Sequence, residues 1–181
     1  MTLRVIGGAC KGRKLLAPPG LDTRPLPDRI KQSLFDWLGQ DLTGLAVADV
    51  CAGSGTFACE ALSRGARIVH AIESGRHALP TLQANARALG APATLVIHPR
   101  PFQHVLPTLK DLDLVFCDPP FPWFRDDPAA LARMLTLAKA ALAERGRILV
   151  RGERGEDLPT VAGVREAERR LYGRSWIARL A

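Results

Sequence analysis

Five short apolar runs, at residues 46–50, 67–73, 94–97, 112–117 and 147–151, alternate with segments of helical periodicity. This alternation constrains the chain more than any other feature. A strand that returns to a parallel neighbour through a helix does so by a right-handed crossover, and repetition of that unit builds a mostly parallel sheet. Helices are predicted over about 55–64, 76–89 and 128–144, with Gly65 and Gly90 past the ends of the first two. Pro80 and Pro128 suit first turns, where a missing N–H costs nothing. The expected class is therefore α/β.

Two further pieces flank the alternation. Residues 3–7 and 13–17 read as short strands around Gly7-Gly8-Ala9-Cys10-Lys11-Gly12-Arg13. A proline-rich connection leads to a helix over about 28–39, with Asp28 as N-cap and Gly39 closing it. Its polar face carries Arg29, Lys31 and Gln32. At the other end, 164–171 and 175–180 read as a hairpin, which adds two strands, one of them antiparallel. A chain of 181 residues can bury a sizeable core. Residues 1–40 are expected to form an N-terminal extension on a compact unit spanning 41–181.

Composition excludes several classes. At 47% hydrophobic the chain is not a disordered one. No apolar run approaches the ~20 residues needed to cross a bilayer. The start, Met1-Thr2-Leu3-Arg4-Val5-Ile6-Gly7, lacks the apolar stretch of a secretory signal. Cys10, Cys51, Cys59 and Cys117 form no C-x-x-C pair, so neither a structural metal nor a disulfide framework is expected. A cytoplasmic protein with reduced thiols follows. The net charge of +7 is unevenly placed, +4 over 1–37, zero over 38–143 and +3 over 144–181. Basic ends suit an anionic partner such as nucleic acid. An Arg-rich composition, with 20 of the 25 basic residues Arg, explains the same excess, and both readings stay open.

The run at 46–50 ends in Asp49-Val50-Cys51-Ala52-Gly53-Ser54-Gly55-Thr56. Glycines where a strand meets a helix let the backbone bend tightly and approach a ligand closely. Glu73 ends the next run, 20 residues after Gly53, where a carboxylate can accept bonds from ribose hydroxyls. Two cofactors share this layout. A dinucleotide wants its phosphate at the helix N-terminus and a third small residue, here Ala58. S-adenosylmethionine carries a sulfonium and no phosphate, and Asp49 before the glycines suits that cation better.

Asp118-Pro119-Pro120-Phe121 follows the fourth run. In an open α/β sheet, ligands bind beyond the carboxyl ends of the strands. An exocyclic amine of a nucleobase is a poor nucleophile because its lone pair is delocalised into the ring. The Asp118 carboxylate and the Pro119 carbonyl can each accept one N–H, which localises the lone pair and aims it at a methyl group. The prolines fix φ and hold these acceptors rigid. Phe121 offers a face on which a base can stack.

With these motifs the chain resembles class I S-adenosylmethionine-dependent methyltransferases of the amino-methylating (N/D-P-P-Y/F) group. Arg4-Val5-Ile6-Gly7-Gly8-Ala9-Cys10-Lys11-Gly12-Arg13-Lys14-Leu15, Thr23-Arg24-Pro25, Leu34-Phe35-Asp36-Trp37-Leu38 and Glu60-Ala61-Leu62-Ser63-Arg64-Gly65-Ala66 narrow the resemblance to the RsmD family. RsmD enzymes methylate the N2 amine of a guanine in bacterial 16S ribosomal RNA. The resemblance implies a seven-stranded sheet of order 3-2-1-4-5-7-6, counted from the run at 46–50. It implies that Asp49, Ala52, Gly53, Gly55 and Asp118 line the cofactor, that Glu73 holds its ribose, and that Arg100 and Phe102 flank its adenine. Asp118, Pro119 and Phe121 become the catalytic residues. Lys11, Arg13, Lys14, Arg24 and Arg29 are expected to meet RNA phosphates, and Trp123 to stack on RNA or to join the core. The implied partner is 16S rRNA in a small-subunit assembly particle, met by a monomer without a metal.

Three features depart from the family. His98-Pro99-Arg100-Pro101 offers no carboxylate to the adenine amine, Phe121 stands where Tyr is commoner, and Arg151-Gly152-Glu153 is foreign to the fifth strand. Competing readings are an adenine-N6 methyltransferase with the same two motifs, an NAD(P)-linked oxidoreductase, and a non-catalytic RNA-binding module. Cys51, Cys117, Trp37, Trp176 and His70 are expected to be structural.

Overall fold

The computed structural model describes residues 3–17, 26–90 and 92–181. Thr23, Arg24 and Pro25, which the resemblance implies cap the cofactor or enter the RNA interface, lie outside the described residues. The elements run β1 (Leu3–Arg4), β2 (Lys14–Leu15), α1 (Asp28–Leu38), β3 (Ala46–Val50), α2 (Thr56–Ser63), β4 (Ile68–Ile72), α3 (Leu79–Ala88) and β5 (Leu95–His98). They continue with α4 (Phe102–Val105), a 3-10 turn (Leu106–Thr108), β6 (Leu112–Cys117), α5 (Trp123–Asp126), α6 (Pro128–Ala141), β7 (Leu142–Glu153), β8 (Glu166–Tyr172) and β9 (Ser175–Leu180).

Seven strands form one sheet in the order β5-β4-β3-β6-β7-β9-β8. Counted from β3 this is the expected 3-2-1-4-5-7-6. Strands β3 to β7 pair parallel, and β9 enters antiparallel between β7 and β8. The order reverses at β3, so a crevice opens beyond the carboxyl ends of β3 and β6. Alternation along β3 divides the core. Ala46, Ala48 and Val50 face a cluster with Leu131, Met134 and Leu135 of α6. Val47 faces Leu34 and Phe35 of α1 and Phe57 of α2. Phe35, Phe57 and Phe116 stack in series, with centroids 5.6 and 4.2 Å apart.

Several expected boundaries change. The N-terminal strands shrink to two residues each, in a separate sheet, because a glycine-rich turn fills the space between them. Gly8 takes φ +72°, and a Cβ there would collide with the Ser63 carbonyl, so the hairpin docks backbone to backbone on the end of α2. Asp28 does not cap α1. Its carboxylate pairs with Arg4 and Lys31 instead, while Pro27 holds the cap position. Helix α6 stops at Ala141, short of 144, and Asp127 caps its start by accepting from the Ala130 N–H at 2.9 Å. Strand β7 begins at Leu142, paired with Leu112, and a bulge then sets Leu114 against Arg147. Trp37 is not fully buried: its Nε1 donates to Glu168, and Arg170 lies over its ring at 4.4 Å. Trp176 is buried, as expected. Among the described residues no helix is long and apolar enough to cross a membrane.

Candidate active site

The glycine turn sits where β3 runs into α2. Gly55 occupies the cap position of α2 at φ +73°, and a Cβ there would strike Leu82 of α3. Gly53 has φ +56° with open space around its absent Cβ. Cys51 takes φ +61°, a left-handed value that costs a non-glycine residue about 1–3 kcal/mol. Such strain persists only where the surroundings hold it, and here they do. The Ala52 N–H donates to the Ile72 carbonyl at 3.0 Å, and the Gly55 N–H to that of Ala52 at 2.7 Å. Asn85 of α3 donates to the Ser54 carbonyl at 2.8 Å. The same side chain accepts the Leu16 N–H and donates to the Leu16 carbonyl, so it ties the segment after β2 to the turn.

Three carboxylates surround this turn. Glu73 accepts the Gly53 N–H at 2.7 Å and the Gly75 N–H at 2.6 Å, one on each oxygen. Each oxygen keeps a lone pair for a further donor. Asp49 is buried in the sheet and accepts the Ala58 N–H of α2 at 3.0 Å. Burial pushes its carboxyl up to about 8, and the nearby charges of Asp118 and Glu73 add to the rise. Asp118 follows β6, its N–H donating to the Val50 carbonyl of β3 at 3.1 Å. Burial raises its carboxyl as well, while Arg151 holds it back.

Sequence reasoning assigns Arg151 no functional role, yet the structure brings it into the site. Its Nη1 lies 3.0 Å from Asp118 Oδ2, and its guanidinium stands 5.2 Å from the Phe121 ring centroid. The register explains the meeting. Val50 pairs with Cys117 and Cys117 with Val150, so Asp118, just past the end of β6, lies beside Arg151, which is still within β7 and pairs with Ile177 of β9. Leu149 of β7 and Phe116 of β6 face the α1–α2 side, as do Arg151 and Asp118 two positions on. The available sequence signal is a cation closing an apolar strand.

The remaining candidates lie around this centre. Pro119 is buried, and Phe121 is partly buried against the core. Phe102 opens α4 and is mostly buried, with its ring tilted against Trp123 at 6.0 Å. Arg100 is exposed just before it. His70 in the middle of β4 and His98 at the end of β5 share a hydrogen bond of 3.0 Å, and burial pushes both imidazoles down from their ordinary value. Lys11, Arg13, Lys14 and Arg29 are all exposed, whereas Lys31 is fully buried.

The residues present suit a cationic nucleoside. Among the described residues no cation pairs with buried Asp49, Glu73 keeps acceptor capacity, and open space lies before Gly53. The raised Asp49 carboxyl has a testable sign. The unfolded carboxyl titrates near 3.9. Between roughly pH 4 and 8 the folded protein binds a proton that the unfolded chain has lost, so Asp49 lowers stability as pH rises. Asn at 49 keeps an oxygen for the Ala58 N–H and removes the titration. The advantage of D49N in melting temperature over wild type is expected to grow by roughly 3–5 °C for each pH unit in that window, from about 1.4 kcal/mol per unit. Calorimetric melting at pH 5 and pH 8 checks this, and a difference that does not grow with pH would show that Asp49 is ionised in the folded state.

The comparisons agree with this architecture. The family model described as conserved hypothetical protein 95 matches residues 3–180. Ribosomal RNA small subunit methyltransferase D of Escherichia coli (strain K12) is 33% identical over 161 residues, covering 88% of this chain and 79% of that protein. YlbH of Bacillus subtilis (strain 168) is 30% identical over 183 residues and covers 97% of each chain. The solved structure of yhhF from Escherichia coli superposes with a TM-score of 0.83 at 32% identity, covering 99% of this chain and 97% of that one.

Proposed function

The chain belongs to the conserved hypothetical protein 95 family, the RsmD family of methyltransferases, and from that premise we propose that it methylates the exocyclic N2 amine of a guanine in small-subunit ribosomal RNA. One observation carries the reading. Asp118 of the D-P-P-F segment and Asp49 near the end of β3 sit on adjacent strands, so an amine acceptor stands beside a buried carboxyl that a bound sulfonium would draw into its charged form. S-adenosylmethionine, when bound, supplies an electrophilic methyl group. Asp49, Ala52, Gly53 and Gly55 would hold its methionine end, Glu73 its ribose, and Arg100 with Phe102 its adenine.

The chain's own residues do the rest. The Asp118 carboxylate and the Pro119 carbonyl accept the two N–H groups of the guanine amine and direct its lone pair. Phe121 stacks on the base, worth roughly 1–3 kcal/mol. The guanine must leave its own stack to enter. No strong base is needed, because the amine becomes acidic once alkylated and its proton can pass to Asp118 or water. Alignment of amine and methyl supplies much of the rate.

The test is tritiated-methyl transfer to 30S particles and to naked 16S rRNA, followed by nucleoside analysis. N2-methylguanosine is the expected product, and N6-methyladenosine in its place would overturn the guanine reading. The N-terminal extension is the proposed RNA surface, with Lys11, Arg13, Lys14 and Arg29 meeting phosphates and Trp123 at the rim of the base site. Each cation–phosphate pairing removed should reduce the slope of log K against log salt by about 0.7–0.9. Alanine at all four positions should flatten the slope by roughly 3. An unchanged slope would place the RNA elsewhere. The protein is proposed to act as a cytoplasmic monomer.

A further inference from the structure

We infer that Arg151 is a positioning residue for methyl transfer: one guanidinium aims the Asp118 carboxylate and braces the Phe121 ring, the two groups that face the base. The inference rests on the methyl-transfer reading for its purpose, but its geometry stands alone. The Arg151 side chain is nearly fully buried, whereas that of Asp118 is 25% exposed and so faces the crevice. Nη1 lies 3.0 Å from Oδ2 and 3.4 Å from Oδ1. The guanidinium engages Oδ2 more closely than Oδ1, and each oxygen keeps a lone pair for a further donor. The carboxylate plane is thereby fixed before a substrate arrives, which is preorganisation in the sense that matters for rate. The guanidinium also stands 5.2 Å from the Phe121 centroid, within the range of a cation–π interaction. Cation and ring fix each other, so the stacking face and the acceptor oxygen keep a set distance.

Charge supplies the second half. Asp118 is faced by Asp49 at the end of β3, by Glu73 through Asp49, and by the Cys51 and Cys117 thiols, which its charge helps to push up. Arg151 on β7 is the cation among these groups. A protonated Asp118 keeps one carbonyl oxygen but presents a hydroxyl in place of the other. Burial raises the Asp118 carboxyl, and Arg151 opposes that rise, so it favours the ionised acceptor.

The test uses the whole chain with R151Q, R151M and R151K. Removing the charge should raise the acid limb of the kcat/KM profile by about one pH unit or more, the scale of an Arg–carboxylate pair. R151Q and R151M should lose roughly 10–100-fold in kcat, with S-adenosylhomocysteine affinity within about threefold of wild type. R151K should return the limb to its wild-type pH while recovering only part of kcat, since a point charge cannot replace a planar fork. Titration of the Asp118 side-chain carboxyl by carbon-13 NMR gives a readout free of turnover. Three results would overturn the inference: an Asp118 titration unmoved in R151Q and R151M, cofactor affinity falling as far as kcat, or a lower KM with kcat intact, which would make Arg151 an internal competitor for the base site. A wild-type protein that methylates no rRNA would overturn the methyl-transfer reading, and the carboxyl titration would still decide whether Arg151 governs Asp118.

Discussion

Substitution of Asp118 by alanine should lower kcat by about 10²–10³-fold or more while leaving S-adenosylhomocysteine affinity nearly unchanged. A thousandfold loss is about 4 kcal/mol of transition-state stabilisation, the scale of one preorganised polar group aimed at the reacting atom. Cofactor binding should survive because the turn is held without Asp118. Gly53 and Gly75 donate to Glu73, Ala58 donates to Asp49, and Asn85 holds the Ser54 carbonyl. Asp118 helps to raise the Asp49 carboxyl, so its loss eases Asp49 toward the charged form that a cation prefers. The variant also takes the carboxylate away from the buried Arg151 guanidinium, and the melting temperature should fall. Turnover is therefore normalised to the binding stoichiometry of the folded fraction. D118N separates the contributions, since its amide oxygen accepts one N–H without the charge that pairs with Arg151. It should fall between wild type and D118A. An alanine variant that turns over at a tenth of the wild-type rate would remove Asp118 from the chemistry.

The parts of this site legible in the sequence are those encoded locally. A strand, a bend and a helix follow one another within ten residues at Asp49–Thr56, and apolar periodicity marks each of them. The D-P-P-F segment likewise reads from its residue types alone. The order of the strands comes through the resemblance, because periodicity does not say which strands are neighbours. What escapes is encoded across distance. Arg151 meets Asp118 only after β6 and β7 pair in register, 33 residues apart in the chain. The short helices α4 and α5 are too brief to show a period. Periodicity overruns the end of α6 because Ala143, Glu144 and Arg145 favour a helix, yet pairing of Leu142 with Leu112 captures the segment for the sheet. Lys31 reads as part of a polar helix face, since lysine is almost never fully buried unless paired. Its partner, Glu60, sits in the apolar helix Thr56–Ser63. A lone carboxylate in such a helix is the available signal.

That pairing sets up the largest expected effect on stability. Lys31 and Glu60 are both fully buried and 3.1 Å apart, and Arg64 pairs with the other Glu60 oxygen. Glu60 also accepts the Ile6 N–H at 2.8 Å, and Lys31 donates to the Arg4 carbonyl. One buried carboxylate thus joins α1, α2 and the N-terminal hairpin. Removing a single member leaves buried charge uncompensated, at a cost of about 3–5 kcal/mol. At roughly 2–4 °C per kcal/mol for a chain of this size, E60A should melt lower by about 6–20 °C. Water does not discount this figure, because neither Lys31 nor Glu60 is exposed. The hairpin should loosen first, since Ile6 loses its acceptor, although the Ala9 N–H still reaches the Ser63 carbonyl at 2.7 Å. Limited proteolysis within residues 5–15 should accelerate before the sheet unfolds. Replacing the whole triad, as in K31M/E60L/R64M, distinguishes the loss of pairing from the loss of packing. Apolar residues of similar volume need no partner, so the triple variant should recover part of the melting temperature that E60A forfeits, the Ile6 N–H and the Arg4 carbonyl still lacking the partners that Glu60 and Lys31 supplied. Recovery without restored rRNA methylation would mean that the ion network serves to seat the hairpin for RNA. A triple variant no more stable than E60A would instead mean that the charges are net stabilising in place.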